Sequence, residues 1–406
     1  MRYVIIGNGP AGVSAIEAIR KVDMEGEIIN INGEPYRPYS KPLLPFIIGG
    51  TIKYEDVFFR PPDFYDTYGV KPILGEPVIE IDVDRKLVVL ASGRRVAYDK
   101  LLIATGGKPR EPKIKGLDLE GIYYLTSLVY VEKIMKILPR VKHALILGGG
   151  PLGLKAALSL AHHSGIEVSV LVSSPHVMSQ VLDAESASLL ECKLVESGVK
   201  LMTRTSVVEF KGNGFVKKAV LDNGDELPAD LVIIGKGVTP ALDFIDRRKI
   251  RANVGIIVDG YMQTSVPDVY AAGDVAESYD ILTGGSNTVA VWPRASEQGH
   301  YAGLNMAGFR KEYIGAHRMN SLDFEGVSCI VMGDVKTVKE GYKVIVERDI
   351  KRNIYQRIIL ENGRIRGAAI IGRTVNVGGL NRLLRRRIDV ENIKSSLLED
   401  KATFIY

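Results

Sequence analysis

The sequence predicts an α/β protein with two nested Rossmann-like domains, each suited to a dinucleotide, and a small α+β C-terminal domain. Three observations carry this reading. Residues 3–21, YVIIGNGPAGVSAIEAIRK, give a short apolar strand, a glycine-rich turn and a helical pattern, followed by a second strand in EIINING. Residues 143–165, HALILGGGPLGLKAALSLAHHSG, followed by EVSVLVSS, repeat that order. After about Arg318 the pattern changes to short β-type runs and ends in a basic helical stretch.

The repeat extends further into each unit. Residues 86–107, KLVVLASGRRVAYDKLLIATGG, and 217–237, KKAVLDNGDELPADLVIIGKG, each read as a hairpin with a glycine turn, an Asp, and a buried strand ending in glycine. GKPREPKIKGL at 107–117 reads as a crossing between domains, and GKGVTPAL at 235–242 as the return. The second unit is therefore inserted in the first. The expected domains are 1–111 with 236–318, then 112–235, then 319–406. In the last of these, SCIVMGDV, YKVIVER and YQRIILENGRIRGAAIIG read as strands, with a hairpin turn at Glu361-Asn362-Gly363.

Composition sets outer bounds. The 406 residues, 46% hydrophobic and 25% charged, fit a soluble globular chain of two or three domains. A balance of 53 basic against 48 acidic residues is too even to suggest nucleic acid. The opening apolar run is shorter than a secretory core and no stretch is long enough to span a bilayer, so no membrane and a cytoplasmic location are expected. Only Cys192 and Cys329 occur, which excludes a cysteine-ligated iron–sulfur centre, a multi-cysteine zinc site and a C-x-x-C dithiol. Both are expected to be reduced and packed.

Gly7-x-Gly9-x-x-Gly12, with Pro10 and Ala11 between, stands between a strand and a helix. Its first glycine allows the tight turn, the second lets backbone approach a pyrophosphate, and the third packs helix on strand. Glu34 follows the second strand, where a carboxylate accepts ribose hydroxyls. Gly148-x-Gly150-x-x-Gly153, with Pro151 and Leu152 between, has the same setting, and Gly235 ends the matching later strand. Its second strand ends in Val172-Ser173-Ser174 with no acid. That suits either a 2′-phosphate, to which Ser173 and Ser174 would donate without a neighbouring arginine, or a retained fold that binds nucleotide weakly. His162 and His163 read as a polar helix end rather than ligands, and no metal is expected.

VDGYMQTSVPDVYAAGDVAE at 258–277 resembles the second flavin motif of the pyridine nucleotide-disulfide oxidoreductase superfamily. The resemblance implies FAD and NAD(P)H as cofactors, with Asp274 holding the ribityl chain and Gly273 allowing close approach. LLIATGGKPR at 101–110 is similar to the segment that passes the flavin, which adds Ala104, Thr105, Gly106 and Arg110, together with Val78, to the expected contacts. YRPYSKPLL at 36–44 resembles the branch of ferredoxin and rubredoxin reductases, nitrite reductase flavin subunits and NADH oxidase-like proteins, in which Lys41 would lie near the flavin diphosphate. NTVAVWPRASEQGHYAGLNMAG at 287–308 is similar to the segment opening a helix against the flavin, with Ser296 or a neighbour as its cap and Trp292 and Pro293 at the ring. Lys41 and Trp292 are thus the candidates nearest the chemistry.

Relatives with a redox cysteine place it around Pro42, Leu43 or Leu44, and none of these can form a thiolate. Disulfide reduction is therefore not expected, and electrons would leave the flavin directly. Lys155 and Val172 stand where many NADH-using relatives have acids, so NADH against NADPH stays open. Arg382, Arg385, Arg386 and Arg387 form a basic face beside Leu380, Leu383, Leu384 and Ile388, read either as a solvated amphipathic helix or as a dock for an acidic carrier. The function expected is an FAD-dependent NAD(P)H oxidoreductase passing electrons to a ferredoxin- or rubredoxin-type carrier. The alternatives are a hydrogen peroxide-forming oxidase and a flavin subunit of a larger dehydrogenase. A carrier or iron–sulfur subunit, and a second copy of the chain as a homodimer, are the expected partners.

Overall fold

The computed structural model describes residues 1–374 and 376–398, so the last eight of the residues expected in the C-terminal domain, 399–406, lie outside the described residues. Two compact units form: Met1–Ser40, Glu55–Pro109 and Val238–Ala316 make the first, and Lys41–Tyr54, Arg110–Gly237 and His317–Tyr406 the second.

The first unit is built on a five-stranded parallel sheet ordered Val269–Ala271, Lys100–Ile103, Arg2–Ile6, Glu27–Asn32, Val70–Leu74. Its strands are short and apolar on both faces, as a sheet covered on both sides requires. Helix Pro10–Arg20 starts with proline at its first turn and buries nearly every residue from Ala11 to Ile19. Its last turn is held by Arg20, which donates to the carbonyls of Tyr68 at 2.7 Å and Gly26 at 2.8 Å. Helix Trp292–Met306 lies against it through a seam of small residues. A Cβ built on Gly299 would come within 2.0 Å of the Ala11 carbonyl oxygen, and one on Gly303 within 2.5 Å of that of Ala15. The two backbones are in contact there, and no side chain fits between them.

The repeated Asp has a structural role in both units. Asp99 accepts from the Arg2 amide at 2.6 Å, while its own amide donates to the Arg2 carbonyl. Asp230 accepts from the His143 amide at 3.0 Å and donates back to the His143 carbonyl. Each Asp therefore fixes the entry of the first strand beside the strand that follows the hairpin.

The second unit repeats the parallel sheet in the order Lys200–Thr203, Glu167–Val172, His143–Leu147, Leu231–Ile234, Ile122–Tyr124. Helix Pro151–Ala161 follows its glycine turn. The short helix Leu44–Ile48, within a segment that the sequence reading kept with the first domain, belongs to this unit: Gly49 abuts Ser159, and His163 Nε2 lies 2.7 Å from the Ile48 carbonyl oxygen. His162 caps the carboxyl end of helix Pro151–Ala161. The unit also contains an antiparallel sheet ordered Met319–Phe324, Val327–Gly333, Arg364–Ile371, Ile354–Glu361, Lys343–Asp349. Asn362 and Gly363 take φ of +51° and +71°, the conformation that an Asn-Gly hairpin turn needs. Helix Val377–Arg385 packs on this sheet through Leu380, Leu383 and Leu384.

A polar latch ties this sheet to the parallel one. Asp183 caps helix Ala184–Glu196 through the Ser186 amide at 2.8 Å, and it also accepts from Tyr355 at 2.8 Å and from the Arg357 guanidinium. Burial alone would raise the Asp183 carboxyl, but these donors outweigh it and hold it below its usual value. Cys192 is exposed and Cys329 buried, with its thiol pushed up to about 12 by burial; both are free. The expectation that both pack inside thus fails for Cys192, which lies on the outer face of helix Ala184–Glu196.

Gly299→Ala should destabilise the chain by about 3 kcal/mol, because its methyl group meets backbone that cannot move aside; a thermal midpoint equal to wild type would count against the seam. Arg357→Met should cost about 2 kcal/mol at neutral pH by removing a charged donor from Asp183. A carboxyl with a lowered folded pKa stabilises above its ordinary range, and that contribution is lost as pH falls through the lowered value. The variant's stability should therefore fall less steeply in acid than wild type's, read by denaturant unfolding across pH.

Candidate cofactor site

The glycine turn of the first unit is closed on two sides and open on the third. Gly7 has φ +106°, and a Cβ on it would lie 2.2 Å from the Ala104 carbonyl oxygen; one on Gly12 would lie 2.0 Å from that of Gly7. Around Gly9 a Cβ would meet nothing within 4 Å. Helix Pro10–Arg20 has no side-chain cap and no acid in its first turn, so its leading N–H groups and positive dipole end are left for an anion. A pyrophosphate suits this donor set.

Buried polar side chains hold the turn in place. Asn30 Nδ2 donates to the carbonyls of Ile5 at 3.1 Å and Gly7 at 3.0 Å, and Tyr65 donates to Asn30 Oδ1 at 3.1 Å. Asn8 Nδ2 donates to the Tyr36 carbonyl at 2.8 Å. Glu34, half-buried after the second strand, accepts from the Tyr39 hydroxyl at 2.6 Å on Oε2. Oε1 is left to accept from a ribose. Asn8, Asn30, Tyr39 and Tyr65 were missed by the sequence reading. The only local signal was an asparagine inside the glycine motif and another in an otherwise apolar strand.

Gly273 has φ +81°, and its amide donates to Gln298 Oε1 at 2.8 Å. Asp274 follows it in a 3-10 turn at the end of strand Val269–Ala271, half-buried. Ala104, Thr105 and Gly106 run from the end of the neighbouring strand, and Thr105 Oγ1 donates to the Ala241 carbonyl at 3.3 Å. Thus Gly7, Gly9, Pro10, Ala11, Gly12, Ala104, Thr105, Gly106, Gly273 and Asp274 gather at the carboxyl ends of the parallel strands, where the strand order reverses. Val78 opens strand Val78–Asp82 and packs against the core.

Trp292 opens helix Trp292–Met306, with Pro293 in its first turn and Val291 as an N-cap without a side-chain bond. Ser296, expected as a cap, sits inside the helix and bonds Ser14 Oγ at 2.7 Å; the proline marks the helix start better. The Trp292 ring stands edge to face with Phe59 at 4.8 Å. A cavity of about 540 Å³ beside it is lined by Glu17, Glu297, Lys21 and His300 among others. Its mixed charge does not suit a diphosphate, which the glycine turn does. Beneath the helix start, buried Arg294 donates to Ser278 Oγ at 2.8 Å and to Asn287 Oδ1 at 3.1 Å.

The second unit repeats the cradle with different charges. Gly148 has φ +121° against the Gly235 carbonyl oxygen, Gly153 abuts Gly148, and Gly150 faces open space. Helix Pro151–Ala161, with Pro151 and Leu152 in its first turn, again lacks a side-chain cap and an acid there. Two half-buried lysines flank this turn. Burial lowers both: Lys155, over the Phe46 ring at 5.2 Å with Asp323 pulling the other way, and Lys236, next to Gly235. Lys236 had no signal of its own in the sequence. Ser173 is exposed, whereas the Ser174 hydroxyl, expected to face a phosphate, donates to the His176 carbonyl at 2.9 Å. Lys41 and Arg110 are exposed and fall in the second unit. No group of three or more His, Cys, Asp or Glu could hold a metal among the described residues, and no described helix is long and apolar enough to cross a membrane.

Two parallel-sheet units, each with an open glycine cradle, are the frame of a two-nucleotide oxidoreductase. The pyridine nucleotide-disulphide oxidoreductase family matches residues 1–299, and the rubredoxin NAD+ reductase C-terminal domain matches 319–388. The chain belongs to the pyridine nucleotide-disulphide oxidoreductase family, whose members bind FAD and NAD(P)H. It is 32% identical over 397 residues to the NADH-dependent phenylglyoxylate dehydrogenase subunit epsilon of Aromatoleum evansii, covering 97% of this chain and 94% of that protein. It is 33% identical to the NADH-rubredoxin oxidoreductase of Clostridium acetobutylicum, covering 91% of each. Among solved structures, a chain of the covalent putidaredoxin reductase-putidaredoxin complex superimposes with a TM-score of 0.87 at 26% identity, over 96% of this chain and 94% of that one. The chain spans about half the length of two curated relatives from Bacillus subtilis, an assimilatory nitrate reductase electron transfer subunit and a nitrite reductase.

Gly9→Ala meets open space at an ordinary φ of −71°, so the apoprotein should keep its thermal midpoint while losing FAD on gel filtration. Tyr39→Phe removes a bond to a carboxylate and should weaken FAD binding about tenfold. Equal flavin retention in both variants would place the cofactor elsewhere.

Proposed function

We propose that the chain takes two electrons from NAD(P)H onto FAD and passes them to a protein carrier of the ferredoxin or rubredoxin type, with no cysteine relay. The observation that carries this is the placement of its two thiols. Cys329 is buried and held protonated, Cys192 lies on the outer face of a helix, and Pro42, Leu43 and Leu44 offer no sulfur. Bound FAD would supply the change from a two-electron donor to a one-electron acceptor. The protein's own part is to hold and orient the nucleotides.

On this reading 1–111 with 236–318 form the FAD domain, 112–235 the NAD(P) domain and 319–406 the C-terminal domain. Gly7, Gly9, Ala11 and Gly12 hold the FAD pyrophosphate, Glu34 the ribose and Asp274 the ribityl chain. Trp292 and Pro293 flank the ring. Gly148, Gly150, Gly153 and Gly235 frame the second nucleotide, with Lys155 and Lys236 offsetting its phosphates. The exposed Arg382 and Arg386 on the C-terminal helix favour an acidic carrier. A subunit role in a larger complex is the second reading, supported by the likeness to the phenylglyoxylate dehydrogenase subunit.

Anaerobic addition of one equivalent of NADH or NADPH should bleach the flavin band. With Arg382, Arg386 and Arg387 changed to Glu, bleaching should be unaltered while reduction of an acidic carrier slows about tenfold at low salt and loses its salt dependence. Absence of bleaching by either nucleotide would sink the reductase reading and leave the subunit one.

A further inference from the structure

Parallel pairing brings a distant arginine to the strand end that lacks an acid. Val172 lies opposite Thr203 in the pairing of Glu167–Val172 with Lys200–Thr203. The two chains stay together past that point: the Arg204 amide donates to the Ser174 carbonyl at 3.1 Å, and the Thr205 amide to the Val172 carbonyl at 3.1 Å. Arg204 is exposed, and among the described residues its guanidinium meets no acceptor. It also has φ +52°, a left-handed conformation that glycine adopts freely and L side chains rarely. An arginine kept where glycine would relax the turn points to a task for its side chain. Beside it stands the exposed Ser173, whose hydroxyl has no partner among the described residues.

At this strand end a carboxylate would accept the ribose 2′-hydroxyl of NADH and repel a 2′-phosphate. Val172, Ser173 and Ser174 offer no carboxylate. A guanidinium fork matches two phosphate oxygens at once, and a serine hydroxyl can donate to a third. We infer that the second nucleotide unit selects a dinucleotide carrying a 2′-phosphate, NADPH over NADH, with Arg204 as its cation and Ser173 as its hydroxyl donor. This rests on the nucleotide use proposed above. It also corrects the expectation that no arginine stands beside these serines, since the arginine arrives from the neighbouring strand.

The test is calorimetric titration of the FAD-loaded full chain with adenosine 2′,5′-bisphosphate and with 5′-AMP. Wild type should bind the bisphosphate about tenfold to a hundredfold more tightly. Arg204→Gly should remove most of that difference, with 5′-AMP, which lacks the 2′-phosphate, bound as before. Glycine relaxes the left-handed turn, so the thermal midpoint should not fall and unfolding cannot account for the loss. Equal binding of the two probes by wild type, failure to bind either, or a preference that survives Arg204→Gly would overturn the inference. Flavin bleaching separates the two levels: NADH bleaching in preference to NADPH overturns this inference alone, whereas bleaching by neither overturns the reductase reading with it.

Discussion

The structure depends on backbone packed against backbone at the glycine turns. In the first unit the Gly7 turn lies against the Ala104 carbonyl and the Gly12 Cα against the Gly7 carbonyl; in the second, Gly148 meets Gly235 and Gly153 meets Gly148. These approaches leave no room for a Cβ, and they bring each helix amino end over the carboxyl ends of its strands. The helix start is then uncapped by any side chain, and the middle glycine of each motif opens outward. An anion-binding site thus follows from packing alone, before any charged side chain is added.

The same principle extends along the first unit. The Gly299 and Gly303 seam brings helix Trp292–Met306 onto helix Pro10–Arg20, so Trp292, Arg294 and Gln298 have fixed positions relative to the glycine turn. Gln298 bonds the Gly273 amide and Ser278, and Arg294 bonds the same serine. The backbone at Gly273, just before Asp274, is consequently tied to helix Trp292–Met306 through Gln298.

What was legible in the sequence was whatever local pattern determines. The strands, both glycine turns, the Asn-Gly hairpin and the internal repeat were read because apolar runs and glycines act on their own neighbours. The repeated Asp was noticed without its purpose, since Asp99 and Asp230 act on Arg2 and His143 far away in the chain. Lys41–Tyr54 groups with the second unit, which the sequence does not signal because a short apolar helix does not name the surface it covers. Ser296 or a neighbour is expected as a cap, but the helix starts without a side-chain cap and Pro293 carries its start signal. Arg204 was invisible because its nearness to Ser174 is a property of strand order.

Duplication supplied one frame twice, and the two copies differ where change is least costly. The strand interiors are buried on both sides, and Gly7, Gly12, Gly148 and Gly153 abut backbone, so a substitution there disturbs packing throughout the unit. The residues just beyond each second strand are half-buried or exposed. Glu34 in one copy and the serines after Val172 in the other therefore put a carboxylate and neutral hydroxyls on comparable ledges without altering the sheet beneath. Lys155 and Lys236 extend the contrast, since burial lowers both and a bound phosphate would offset that cost. The first copy carries a carboxylate beyond its second strand, and the second flanks its turn with two lysines. A single fold can in this way carry two cradles of different charge, each set at its own strand end.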